Sequence, residues 1–390
     1  MSFKNYLGLH LTIQKFILLP KYQLPEGKSR IPIFGLRILF LFGISLCAIY
    51  DLSLIHLVGP TYIDVGDVAT IVGFMEILFS RTNIFCLVVY AIFDNHFHIE
   101  LLKMTIHFEK KLNNLTTKRT ILKNDLKKYN DIILIFTWSV LCNIAFLLYR
   151  LSMCLSTATI TWYLRVMIQD FLHNSTIFYI IDFFDLITKY SSVLERNLCN
   201  PANWHNIDIF NITYKLFQLI KKLEKTFNII IFYYLMYHIF STTFNFYFIM
   251  RRHIINVQMT VFRIFIIIFA LIWFIRSIYF SFYLCFRCHK IHEKMEKLLQ
   301  TLLHADFEIK SPKIRSAIQQ IYMNRLHDKR KITVLGFYSI DLSAFTQFAS
   351  SFVTFVLIII QFKQLEDAQL NFTEYSNTRN KCLLLDYNNF

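Results

Sequence analysis

Charge is what this sequence has least of. Only 17% of its 390 residues are Asp, Glu, Lys or Arg, where soluble domains carry about 25%. Acidic residues are the scarcer kind, 26 against 41 Lys plus Arg. Also missing are a Walker loop, a dinucleotide fingerprint, an HExxH helix and a nucleophile elbow. No cluster of His, Asp or Glu spans more than one hydrophobic run. These absences argue against an enzyme and imply no metal and no cofactor. No RNA-binding or helix-turn-helix pattern accompanies the net charge of +15, so nucleic acid is not an expected partner. There are no tandem repeats and no Gly/Ser linkers. The basic, amphipathic N-terminus has no small-residue cleavage site, so no cleavable signal peptide is expected. The eight cysteines lack framework spacing and read as free thiols. Cys285-Phe-Arg-Cys288-His289 has haem-attachment spacing, but it ends a hydrophobic run where thiols stay reduced. It reads as a turn of helix.

What fills the chain instead is apolar. Hydrophobic residues make up 55%, phenylalanine alone 41 positions, and the mean hydropathy is +0.43. A membrane-crossing helix needs roughly 20 mostly apolar residues. Seven runs qualify: 33–59, 66–92, 131–151, 159–187, 228–250, 257–288 and 336–362. The expected fold class is therefore an all-α membrane protein with seven transmembrane helices. The fourth run holds Arg165, Asp170, His173, Asp182 and Asp185, so much of it is expected to face protein or water. Glu76, Arg81, Arg263 and Arg276 are also ionisable and inside runs. Ion pairing between helices is the expected reading, and a direct ligand role the other.

Basic residues set the orientation. Segment 1–32 has 5 Lys plus Arg, and connections 93–130, 188–227 and 289–335 have 8, 6 and 10. The short connections and the tail 363–390 together carry only 5. An excess of Lys and Arg marks the cytoplasmic side. The N-terminus is thus expected inside and the C-terminus extracellular. That inverts a receptor coupled to G proteins, and neither Asp-Arg-Tyr after the third run nor Asn-Pro-x-x-Tyr in the seventh is present. Four regions follow: a cytoplasmic segment 1–32, a six-helix bundle 33–335, the seventh helix 336–362 and an extracellular tail 363–390. Of the sequons at Asn114, Asn174, Asn211 and Asn371, only Asn371 lies outside on this topology and is a glycosylation candidate.

The inner connections are patterned. Ile212, Leu216, Leu219, Ile220, Leu223 and Phe227 recur at helical spacing, as do Ile291, Met295, Leu298, Leu299, Leu302 and Leu303. Such amphipathic helices need a partner. They either extend the spans into a cytoplasmic anchor, with elements 188–227 and 289–335, or lie on the inner membrane face.

The last run closes on "TFVLIIIQF". Thr354, Ile358 and Gln361 share a helix face, and Phe362 follows Ile358 by four. The stripe fits a pore lining, in which apolar groups exclude water and polar groups restore it. It equally fits a helix–helix interface. The segment resembles the signature of insect gustatory receptors: Thr-Tyr, five hydrophobic residues, then Gln-Phe. Phe355 stands where that signature has tyrosine, and Gly336–Asp341 ("GFYSID") resembles the family's upstream part of the same span. Chain length and long inner connections match the family over essentially the whole sequence.

The resemblance implies a ligand-gated, non-selective cation channel in the plasma membrane of a sensory neuron. It implies a tetramer, either of this chain alone or with other gustatory receptors, with seventh helices lining a central pore. Thr354, Ile358, Gln361 and Phe362 carry over as pore and gate candidates. A small-molecule tastant and permeating cations are the implied partners, besides membrane lipid. The ligand pocket is expected in the outer halves of spans two to six. Topology bounds it to Thr70, Phe74, Phe146, Tyr149, Trp162, Arg165, Gln169, Ser241, Thr242, Asn245, Tyr247, Gln258 and Arg263. Sugar receptors of the family often place an acidic residue directly after the motif tyrosine. Val356 occupies that position, which favours a bitter or plant-derived ligand over a sugar. A seven-helix receptor without a pore is the competing class. A transporter ranks third, lacking paired repeats and broken helices.

Overall fold

The computed structural model describes the backbone of residues 67–90, 95–115, 157–254, 261–308, 311–327, 332–334, 338–358, 360–362 and 364–365, with Thr137 and parts of 7–14 and 35–50. Nearly all of it is helical. We label the helices α1 (Asp67–Val89), α2 (Asn95–Leu115), α3 (Thr157–Leu198), α4 (Ile207–Ile254), α5 (Val261–Glu308), α6 (Pro312–His327) and α7 (Leu342–Phe362). Two strands, β1 (Thr333–Val334) and β2 (Tyr338–Ser339), pair antiparallel with Thr333 opposite Ser339. Among the described residues, Leu271–Asp306 and Leu342–Phe362 are long and apolar enough to cross a membrane. Leu78–Val89 is a shorter apolar stretch. The third run, 131–151, lies outside the described residues except for Thr137.

Helix length is the first structural fact with functional weight. Helices α3, α4 and α5 have 42, 48 and 48 residues without interruption. At 1.5 Å per residue they reach about 60–70 Å, twice the hydrocarbon thickness of a bilayer. The connections 188–227 and 289–335 are therefore largely helix. Between α3 and α4 the chain turns in eight residues, built on Pro201–Asn203, a single 3-10 turn. Asn200 caps that turn by accepting from Ala202 N at 3.2 Å. Trp204 Nε1 donates to Leu198 O at 2.7 Å, closing the last turn of α3.

Pairings across helices fix their relative directions. Three ion pairs join α3 to α5 in rising order: Asp170–Arg276 at 2.6 Å, Asp185–Arg287 at 2.5 Å and Glu195–Lys294 at 3.1 Å. These two helices run parallel. Helix α4 runs against them and touches α1, α2, α3, α5 and α6. Helix α7 runs against α5, since Phe345 meets Phe282 and Phe352 meets Phe274.

The core is concentrated in the end of the bundle that holds α2, α6 and the charged halves of α3, α4 and α5. Ile212, Leu216, Leu219, Ile220, Leu223 and Phe227 are all buried there, as are Ile291, Met295, Leu298 and Leu302. The expected apolar face of α5 needs one correction. Leu303 is exposed, and Leu299 is half-buried. The buried positions follow 291, 295, 298, 302 and 305, and Leu299 and Leu303 fall to one side of that stripe. The N-terminal segment contributes as well. Residues 10–14 are helical, Leu11 and Gln14 are buried, and His10 Nε2 lies 3.4 Å from Asp182.

His98 of α2 ties this core to the middle of α3. Its Nε2 and the Tyr179 hydroxyl are hydrogen-bonded at 2.8 Å, and its ring meets Phe227 edge-on at 5.2 Å. Burial pulls its imidazole down to about 3, so His98 is neutral at physiological pH.

The last helix starts later than the apolar run. Hydropathy put the span at 336, but Tyr338 and Ser339 are in the hairpin and helix begins at Leu342. Asp341 is the reason. Its carboxylate accepts from Ala344 N at 3.1 Å and from Ser339 Oγ at 3.4 Å, the geometry of an N-cap.

Candidate functional site

Helix α7 is attached to its own chain along one side. Phe345 meets Phe282 at 5.2 Å, Phe352 meets Phe246 at 5.5 Å and Phe274 at 5.8 Å, and Phe355 meets Phe240 at 6.5 Å. At 100° per residue, these rings span about 80°, under a quarter of the helix circumference. Thr354, Ile358 and Gln361 fall on the other side, and Phe362, seven residues after Phe355, lies about 20° from it at the edge of the ring-bearing side. All four are exposed, Ile358 by 42% and Phe362 by 54%. Thr354 Oγ1 returns to Ser350 O at 3.1 Å, so its hydroxyl is satisfied within the helix. Only 12% of the apolar stretch of α7 is buried in the chain, against 39% for that of α5. A helix this apolar and this bare needs lipid or other protein around it.

The second site is a buried polar node between α1, α3, α4 and α5. Arg276 Nη2 donates to both oxygens of Asp170, at 2.6 and 2.8 Å. Asn174 Nδ2 donates to the same carboxylate at 3.0 Å. The guanidinium lies over Trp273, 4.5 Å from the ring centre, with Phe280 at 5.5 Å. Trp273 Nε1 donates to Ser241 Oγ at 3.2 Å. Beside this pair, Asn83 Nδ2 donates to His173 Nδ1, which leaves the ring proton on Nε2. Tyr234 stacks on His173 at 4.8 Å and meets His238 edge-on at 4.3 Å. All of these polar side chains are buried except the Trp273 nitrogen's residue, which is half-buried.

The node is incompletely satisfied. Among the described residues, His238 has no hydrogen-bond partner at either ring nitrogen, and neither do His173 Nε2 and the Tyr234 hydroxyl. Buried polar atoms of this kind are costly, and most in folded proteins are paired. The node thus combines an ion pair, aromatic faces and unpaired neutral donors and acceptors. Such a set can hydrogen-bond a small polar molecule or group.

Of the expected pocket residues, the structure places two. Ser241 and Thr242 are fully buried on α4, Ser241 bonded to Trp273 and Thr242 Oγ1 donating to His238 O at 2.6 Å. Both border the node. The side chains of Thr70, Phe74, Trp162, Arg165, Gln169, Asn245, Tyr247 and Arg263 lie outside the described residues, as do Phe146, Tyr149, Gln258 and Asn371. The node members His173, Asn174, Tyr234 and His238 were not among the expected pocket residues. A signal for them existed: Tyr234, Tyr237, His238, Ser241 and Thr242 form a polar stripe at helical spacing in an apolar run. The expected pairing of the spanning charges holds for Arg276, which has Asp170. At the sequons, Asn174 is buried and bonded to Asp170, and Asn114 and Asn211 are exposed.

The fold is similar to solved insect olfactory receptors. Olfactory receptor OR5 from Machilis hrabei superposes with a TM-score of 0.61 at 13% identity, covering 92% of this chain and 99% of that one. The same receptor in complex with eugenol gives 0.58 at 12% identity, with the same coverage. No curated protein sequence matches the chain. Residues 20–366 match the sequence profile described as 7tm Chemosensory receptor. That match takes in both sites and nearly all of the chain, which therefore belongs to the 7tm chemosensory receptor family.

Proposed function

We propose that this chain is a gustatory receptor, a tastant-gated and non-selective cation channel of the plasma membrane. The observation that carries the reading is the position of the Thr354, Ile358 and Gln361 stripe, opposite the rings that attach α7 to its bundle. In a tetramer with α7 innermost, that stripe meets its three counterparts around an axis. Ile358, flanked by Phe362, then supplies a constriction that excludes water, and Thr354 and Gln361 supply the groups that hydrate it when open. The N-terminus and the charged bundle end are cytoplasmic, and the tail beyond 362 is extracellular.

The ligand enters from the outside and binds within one subunit. Its chamber is bounded by the outer halves of spans two to six, and we read the polar node as its floor. His238 is 16 residues from the outer end of α4 at Ile254, about 24 Å along the helix. His173 Nε2, His238 and the Tyr234 hydroxyl offer both donors and acceptors, with aromatic walls beside them. Val356 after the motif aromatic supports a bitter or plant-derived ligand. The open state must bind the tastant more tightly than the closed one for ligand to move α7.

The test is electrical. Cells expressing only this chain are exposed to sugars, alkaloids and glycosides while current is recorded. A ligand-evoked cation current is expected, altered in Gln361→Ala and Phe362→Ala with surface expression retained. Ligand binding without current would point to a receptor that signals through other proteins.

A further inference from the structure

The segment that leads into α7 is held by side chains of the inner bundle. Ile332 N donates to His292 Nε2 of α5 at 2.7 Å. Thr333 N and Thr333 Oγ1 both donate to Glu224 Oε1 of α4, at 2.8 and 2.5 Å. The chain then turns through the hairpin, and Ile340 N returns to Ile332 O at 2.9 Å. Ile332 and Ile340 are both sunk in the core, 3% and 0% exposed. Asp341 caps α7 immediately afterwards.

Two pairs of residues in a hairpin have no stability of their own. Its position comes from Glu224, His292 and the two buried isoleucines. The bonds to Glu224 are charge-assisted and so stronger than neutral ones. His292 accepts at Nε2, which places its proton on Nδ1. Beyond Asp341, the contacts of α7 described above are between aromatic rings, which can slide past one another. The directional contacts are at its base, and they reach two different helices, α4 and α5. Both helices also line the polar node, so a rearrangement there displaces the two ends of this attachment.

We propose that Glu224 and His292 are positioning residues for gating: they form a latch that converts relative movement of α4 and α5 into movement of α7. The proposal rests on α7 being the pore-lining helix. It assigns the coupling to five described atoms, Glu224 Oε1, His292 Nε2, Thr333 Oγ1 and the backbone nitrogens of Ile332 and Thr333.

The test uses the full-length receptor in cells and purified. In Glu224→Ala, binding of the sugar, alkaloid or glycoside that evokes the largest wild-type current in the panel above should stay within about twofold of wild type, while half-activation shifts by about tenfold or maximal current falls to match. Glu224→Gln keeps an acceptor oxygen and should stay within about threefold. Thr333→Val removes one hydroxyl and should give a smaller shift. The double variant Glu224→Ala with Thr333→Val should be no worse than Glu224→Ala alone, because both remove one shared interaction. Wild-type gating in Glu224→Ala, failure of Glu224→Gln to rescue, or independent multiplication of the two effects would overturn the latch. Should Glu224→Ala not reach the surface, Thr333→Val and Glu224→Gln carry the comparison. Hydrogen exchange separates the latch from the pore reading. Purified Glu224→Ala should exchange faster at the Ile332 and Thr333 amides and at the start of α7, with 212–220 unchanged. Unchanged exchange at 332–333 sinks the latch. Tastant binding without current in wild type sinks the pore reading instead.

Discussion

Two regions of this chain bury their apolar surface by different routes. The end of the bundle that holds α2 and α6 buries it within the chain: Leu216, Leu223, Leu298 and Leu302 have no exposed surface. Helix α7 does not. Val353, Phe355, Leu357, Ile358 and Phe362 are each more than 40% exposed. Both regions are strongly apolar, so the difference lies in what surrounds them. The inner sequences alternate apolar and charged faces at helical spacing, which lets one chain close a core. The α7 sequence is apolar nearly all round with a single polar stripe, which calls for lipid or other protein around it. Substitutions should therefore cost stability in the bundle and alter current in α7.

The largest effect is expected at the polar node. Arg276→Ala leaves the Asp170 charge buried and unpaired, a loss of about 3–5 kcal/mol. The measurement is the yield and melting of the detergent-solubilised receptor, and a wild-type melting curve would contradict the buried pair. Leu298→Ala comes next. It opens a cavity in the inner core and should cost about 2–5 kcal/mol, read by the same assay. A loss below about 0.5 kcal/mol would mean the inner end is not a closed core.

The third prediction concerns pH. The His98 imidazole is held at about 3 by burial, below its ordinary 6.5. The unfolded chain therefore binds one more proton than the folded one between these values. Stability from this group is fully present above pH 6.5 and declines as pH falls toward 3, by at most about 1.4 kcal/mol per pH unit. The difference in melting between wild type and His98→Gln should change with pH in that window and stay constant above it. A constant difference from pH 7 to 5 would show that His98 is not buried as a neutral group. The smallest stability effect is expected for Ile358→Ala, within about 0.5 kcal/mol as for an exposed site. Its effect should appear in the current, and a large loss of folded receptor would break the contrast between the regions.

Much of this was legible in the sequence because the signals are periodic. The apolar face of α4 follows from spacing alone, and that of α5 does so at 291, 295, 298 and 302 but not at Leu299 and Leu303. The Thr354–Gln361 stripe was legible for the same reason, and its direction relative to the bundle was not. That direction depends on where Phe345 and Phe352 find partners on α4 and α5, which no local pattern encodes. The start of α7 was misplaced because Tyr338 and Ile340 count as apolar in a hydropathy sum. The Asp341 cap and the bonds from Thr333 to Glu224, 109 positions away, decide it instead. His238 is not legible as a site residue, because a single histidine carries no information about which helices surround it. Its unpaired nitrogens become visible only when α3 and α4 are side by side.

The central claim is that the bare side of α7 faces an ion path while its ring-bearing side faces the bundle. Cysteine accessibility tests it most directly. In cells expressing only this chain, Gln361→Cys and Phe352→Cys are compared during ligand application, with a charged thiol reagent added outside. The prediction is progressive loss of current in Gln361→Cys and none in Phe352→Cys beyond wild type. Modification of Phe352→Cys with Gln361→Cys untouched would contradict it.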